Sequence, residues 1–267
     1  MKKMTFILIL LLPINYLFAQ NLSESEKLDS ILAEATVLFQ YEKAAWISTD
    51  LLYEDAPLAE ISNGYFTYQA NNKTITMILS VDRKRCVAEY FYGNNFSMPD
   101  SINKNEREFT ERERNLITIF DELLKKINHS NDYGIEVPYK YSYNSNLIPS
   151  ENGFKFYLIM GTSQSNVIPI GNDYVFYTDK EGNILSWQKF HSRLLPIQTQ
   201  IKGEKVISVT HSHLEQTPYI TATEIATFML YAPLYDMNSF EVLSTVLNKN
   251  FKYHLNTHKI TTLTLQK

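Results

Sequence analysis

The chain has 267 residues, 44% hydrophobic and 20% charged, with a formal net charge of −4. That length admits one large or two small domains with a sizeable core, and the composition excludes a disordered or low-complexity chain. There is no basic stripe with interleaved aromatics, so no nucleic-acid partner is expected, and Cys86, the sole cysteine, excludes an intramolecular disulfide.

The N-terminus carries the ordered properties of a cleaved bacterial-type signal peptide. Lys2 and Lys3 form a positive n-region, Phe6 to Leu12 an apolar h-region, and Leu17-Phe18-Ala19 a cleavage site ahead of Gln20. The apolar run is shorter than the roughly 20 residues a spanning helix needs. No cysteine follows it, so a lipid anchor is not expected. The expected product is periplasmic or secreted, with no membrane attachment after cleavage, and residues 1–19 form the signal segment.

The mature chain opens with a predicted helix. Ser23 and Glu26 have capping-box spacing, and Leu28, Ile31, Leu32, Ala35, Leu38 and Phe39 share one helical face. From Ala44 the period shifts toward two, which predicts strands at Trp46–Thr49, Tyr65–Tyr68, Thr74–Leu79 and Cys86–Tyr92, an antiparallel meander with a turn at Asn71-Asn72. Cys86 falls in an apolar strand and is expected to be an inert core residue. A second capping box, Thr110 with Glu113, starts a helix that presents Leu116, Ile117, Phe120, Leu123, Leu124 and Ile127 to one side. Polar turn residues at 128–134 suggest a boundary, giving an N-terminal α+β region (20–131) and a strand-rich C-terminal domain (132–267). Strands are predicted there at Tyr139–Tyr143, Phe154–Met160, Tyr174–Thr178, Ile184–Phe190 and Val206–Thr210, with a hairpin turn at Asp179–Asn183. Two more are predicted around the turn Asn256-Thr257, which places His254 and His258 on the surface. The fold class expected is α+β, with one continuous core as the alternative to two domains.

The residues that point to chemistry begin at Val206-Ile-Ser-Val-Thr-His-Ser-His213. If the strand continues through His213, its period of two puts both imidazoles on one side, within reach of one metal. A helix is predicted from Thr221-Ala-Thr-Glu224, with Ile225, Phe228, Met229 and Ala232 on its buried face and Pro233 at its end. Glu224 then lies in the first turn, where the helix dipole favours its charge and where it could be a third ligand. Two imidazoles, one carboxylate and an open position are a catalytic zinc arrangement. Thr221-x-x-Glu224 is equally a capping box that needs no metal. His191 joins the group if its strand neighbours Val206–Thr210.

This stretch resembles the JAMM (MPN-domain) metalloprotease motif: His-x-His, seven residues, Ser, two residues, Asp. His211 and His213 match the histidines, Leu214–Ile220 is the spacer, Thr221 stands at the serine and Glu224 at the aspartate. The resemblance covers at most residues 135–267 and implies an MPN-like fold and a zinc-dependent peptidase. Zinc would be held by His211, His213 and Glu224, with Thr221 orienting developing charge. The family's general-base glutamate lies several tens of residues upstream on another strand. Glu151 is the residue this points to, although Pro149–Gly153 also reads as a turn, with Glu136 and Glu181 as poorer choices. The extra methylene of Glu224 would push its carboxylate about 1.5 Å further out than an aspartate's. No phosphate-cradling Gly-rich loop, Ser-centred elbow or Cys-x-x-Cys is present. Two functions follow: a zinc hydrolase acting on an unknown peptide or protein, or a non-catalytic exported binding module in which Thr221 and Glu224 serve only as a cap.

Overall fold

A computed structural model describes residues 22–265, and the expected signal peptide lies outside them. The chain is α+β, as its periodicities indicate. No helix among the described residues is long and apolar enough to cross a membrane.

Helix α1 spans Glu24–Tyr53 and starts at a full capping box between Ser23 and Glu26. It is longer than its sequence suggests, because Trp46–Thr49 continues the helix instead of forming a strand. Four residues are too few to distinguish a period of two from one of 3.6. Over the longer window Leu38, Tyr41, Ala45, Ser48 and Leu52 form one buried ladder at helical spacing. The second half of α1 packs on the first sheet, where Ala44 and Leu52 meet Ile78, Val87, Tyr90 and Tyr92. Short α2 (Ala56–Glu60) leads into that sheet.

The predicted meander forms as β1 (Ser62–Ala70), β2 (Lys73–Ser80) and β3 (Arg85–Tyr92), all antiparallel. Asn71 and Asn72 make the first turn in the left-handed region, with φ of 51° and 59°, a conformation that asparagine tolerates and two-residue hairpins require. Short β4 (Ser101–Asn103) and β5 (Arg107–Glu108) both pair with β3. Helix α3 (Glu111–Asn128) starts at the expected Thr110–Glu113 capping box and buries Leu116, Ile117, Phe120, Leu123 and Ile127. Cys86 is buried, and burial pushes its thiol up to about 12.

In the second half, β6 (Tyr141–Ser150), β7 (Gly153–Thr162), β9 (Tyr174–Thr178) and β10 (Ile184–Lys189) form an antiparallel sheet in the order β10-β9-β7-β6. A two-residue turn at 151–152 joins the first pair. Between β7 and β9, β8 (Val167–Gly171) pairs, among the described residues, only with β11 (Leu194–Gln198). Pro169 faces Pro196 in that ribbon; proline signals against a central strand, and here neither strand carries a third partner. A small hairpin of β12 (Gln200–Ile201) and β13 (Glu204–Lys205) follows. The last sheet runs β14-β15-β16-β17. Strand β14 (Ser208–His213) continues through His213, passes into α4 (Ala222–Tyr231) and returns in parallel as β15 (Ser239–Ser244). Strands β16 (Lys249–His254) and β17 (Lys259–Thr264) complete it.

Every residue of α4 is buried. It sits in the core cluster that also takes Leu28, Ala35 and Leu38 from α1, Ile168 and Ile170 from β8, and Phe240 and Val242 from β15. A second cluster joins Phe66, Met77 and Phe120 to Phe156, Tyr174 and Phe176. Both clusters draw residues from either side of residue 131.

Candidate metal centre

On β14 the side chains alternate as a half-buried strand requires: Thr210 and Ser212 are exposed, while His211 and His213 face inward. The loop after β14 turns back so that the first turn of α4 lies beside those imidazoles. His191, in the connection between β10 and β11, closes the group from a third direction. One ligand atom from each of His191, His211, His213 and Glu224 lies within 4.8 Å of all the others, so this group could hold a metal ion.

The contacts are close. The Nε2 atoms of His191 and His213 are 2.9 Å apart, those of His211 and His213 3.2 Å. Glu224 Oε1 lies 2.5 Å from His211 Nε2 and 3.1 Å from both His191 Nε2 and His213 Nε2. Donors bonded at about 2.1 Å to a tetrahedral zinc stand roughly 3.4 Å from one another, so these five pairs are closer than that geometry asks, while the group as a whole spans up to 4.8 Å. The ring centroids of His191 and His211 are 5.8 Å apart, against 4.8 Å and 5.1 Å for the other two pairs. The His191–His211 edge is therefore the widest.

Glu224 performs two tasks with two oxygens. Its Oε2 accepts hydrogen bonds from the Thr221 backbone N–H and hydroxyl, both at 2.8 Å, and its own N–H donates to Thr221 Oγ1. That is the capping box, and it leaves Oε1 free to face the imidazoles. The cap also bends the longer side chain back, so the extra methylene does not carry the carboxylate past the cluster. Burial penalises the Glu224 charge, but the three histidines outweigh it and hold the carboxyl well below the usual carboxylate range.

His213 is set for ligation by its far nitrogen. Its Nδ1–H donates to the Tyr219 carbonyl at 2.8 Å, which leaves the Nε2 lone pair toward the cluster in the neutral ring. Burial pulls the His213 pKa down, and Glu224 more than offsets it, leaving it above its ordinary value. The His211 ring stacks on Phe240 at 6.4 Å with a 3° interplanar angle. The His191 ring packs over Gly171, whose φ is +87° and where a Cβ would come within 3.3 Å of the His191 Cγ. Behind it, His191 Nδ1 and Asp173 Oδ2 are both buried without a hydrogen-bond partner. Burial pushes the Asp173 carboxyl up to about 7, against the pull of the Met160 N–H and the His191 imidazole. Metal-binding histidines commonly donate their second N–H to a carboxylate; here no such hydrogen bond forms, and Asp173 acts on His191 through its charge.

Of the residues singled out by sequence, the fold brings His211, His213, Glu224 and Thr221 together. Glu151 lies elsewhere. It is exposed in the β6–β7 turn, at the end of the sheet where Phe154 pairs with Thr178, and the Asp173 end is roughly 17 Å of strand away. Glu136 and Glu181 are also exposed. His191 does join the cluster, by a different route from strand adjacency: β10 pairs with β9, and β14 pairs with β15. Asp173 was not singled out, and nothing in its local sequence distinguishes it. Glu224 is fully buried, His213 nearly so, and the His211 side chain keeps 15% of its exposure. No known protein family, no curated protein and no solved structure matches the chain.

Proposed function

We propose that this is an exported zinc protein whose centre is built from His191, His211, His213 and Glu224 and is non-catalytic, tying the β10–β11 connection, β14 and the start of α4 into one unit. The observation that carries the reading is the convergence of four protein donors within 4.8 Å of one another with three of the four residues out of solvent. A closed four-ligand set is the pattern of structural zinc, whereas catalytic zinc keeps a position for water. Three imidazoles and one carboxylate suit zinc, although other first-row metals share that preference. The carboxylate brings one negative charge against two on the cation, and the capping box keeps it aimed at the imidazoles.

A second reading, a zinc hydrolase of JAMM type, has one observation in its favour. The wide His191–His211 edge adjoins the only ligand with appreciable exposure, so a water could enter there as a fifth ligand. The Thr221 hydroxyl donates to Glu224 Oε2, and Glu151 lies at the far end of the sheet, so that reading needs another general base.

Cobalt substitution separates the readings. A closed four-ligand site loaded with Co²⁺ gives intense visible absorption that excess azide leaves unchanged. A weak spectrum that azide alters, together with peptide hydrolysis by the zinc form, would favour the hydrolase. No visible cobalt spectrum beyond that of the free ion would refute a centre of either kind.

A further inference from the structure

A second site lies near the other end of α4. Glu42, Trp46, Asp50 and Tyr53 follow one another on α1 at intervals of three or four residues, so they line one stripe of the helix. With Tyr65 of β1 and Tyr231 at the end of α4, that stripe walls a cavity of about 500 Å³, within the range of small-molecule sites.

Its floor is unusual in charge. Glu42 is buried, and its carboxylate oxygens accept only from neutral amides, Oε2 from Asn144 Nδ2 at 2.6 Å and Oε1 from Asn146 Nδ2 at 2.5 Å. Each oxygen can accept at least one more hydrogen bond. Among the described residues no cationic side chain forms an ion pair with it. A buried carboxylate without a counter-charge is costly, and burial raises the Glu42 pKa despite the two amides. The walls are aromatic: the Trp46 and Tyr231 rings lie 5.5 Å apart, tilted by 53°. Lys43 Nζ sits 5.4 Å from the Trp46 ring centroid, so an ammonium group already rests against this indole. Asp50 adds an exposed second carboxylate at the rim.

We propose that this cavity binds an organic ammonium ion, with Glu42 as its counter-charge and the Trp46, Tyr65 and Tyr231 rings as its walls. A carboxylate at the end of an aromatic box supplies both halves of ammonium recognition, a hydrogen-bonded ion pair and cation–π attraction. The site is separate from the metal centre and does not depend on it.

The chain has two tryptophans, Trp46 and Trp187, so Trp187→Phe leaves Trp46 as the reporter inside the cavity wall. Its fluorescence is titrated with tetramethylammonium, n-butylammonium and 1,4-diaminobutane chlorides at constant ionic strength, with n-butanol as the uncharged control. The expected result is a saturable change with at least one cation at about 1 mM or below and none with butanol. Glu42→Gln, introduced in the same background, should weaken binding at least about tenfold while the circular dichroism stays unchanged. If that variant does not fold, Asp50→Lys at the exposed rim takes its place with the same tenfold expectation. Three outcomes would overturn the site: no saturation by any cation up to about 10 mM, equal binding of butanol, or undiminished binding by whichever variant folds.

Discussion

Glu224 shows how one side chain can satisfy two readings of the same four residues. A capping box and a metal ligand looked like alternatives, yet the cap occupies Oε2 and leaves Oε1 facing the imidazoles, so one carboxylate can serve both. Thr221→Ala should therefore do more than remove a cap. Chemical denaturation should show a loss of about 1 kcal/mol or more, and a competition titration should show weaker zinc affinity in the same variant. Asp173→Asn should leave the fold intact while lowering zinc affinity by roughly tenfold, the usual effect of losing a carboxylate behind a ligating histidine; unchanged affinity would remove Asp173 from the site. His211, His213 and Glu224 could be found from sequence because strand period and helix start are local properties. His191 and Asp173 could not be placed that way. They flank the hairpin of β9 and β10, Asp173 just before it and His191 just after it, and only tertiary packing brings that end of the sheet beside β14 and α4.

The elements tell the same story of window length. Helix α1 is read correctly where its apolar spacing is regular and misread at Trp46–Thr49, where aromatic and β-branched residues imitate a strand. Packing against β2 and β3 overrides that local preference. Ala44→Gly tests it directly: at a fully buried helix interior it should cost about 1 kcal/mol, measured by urea denaturation, with a smaller loss expected if this stretch were extended chain. The hairpins at Asn71-Asn72 and Asp179–Asn183 were readable because their turns need residues that tolerate positive φ. Strand β8 was not, because Pro169 argues against a strand unless the chain is known to form an isolated ribbon. Nor was β15, whose partner β14 lies a whole helix upstream, as parallel pairing demands.

Across the whole molecule, a polar network ties the first sheet to α3 much as the histidine–glutamate cluster ties the last sheet to α4. Arg107 bridges Glu89 of β3 and Glu113 of α3, and Tyr68 donates to Glu113 Oε1 at 2.6 Å. Burial raises the Glu113 pKa, but Arg107 and Tyr68 together bring it to about 2, below its ordinary 4.5. A depressed carboxylate stabilises the fold fully above its unfolded value and loses that contribution as pH falls from about 4.5 toward 2. Stability measured across that window should fall in the wild type and fall less steeply in Glu113→Gln; parallel curves would show that Glu113 is not the titrating group. The central claim, that four residues from three parts of the chain hold a metal, is tested most directly by metal analysis. The protein, purified without a histidine tag, is analysed by plasma mass spectrometry beside His191→Ala and the His211→Ala/His213→Ala double variant. Near-stoichiometric zinc in the wild type, lost in both variants, is the expected result. A wild type that retains no metal after incubation with excess zinc and removal of the unbound fraction would contradict it.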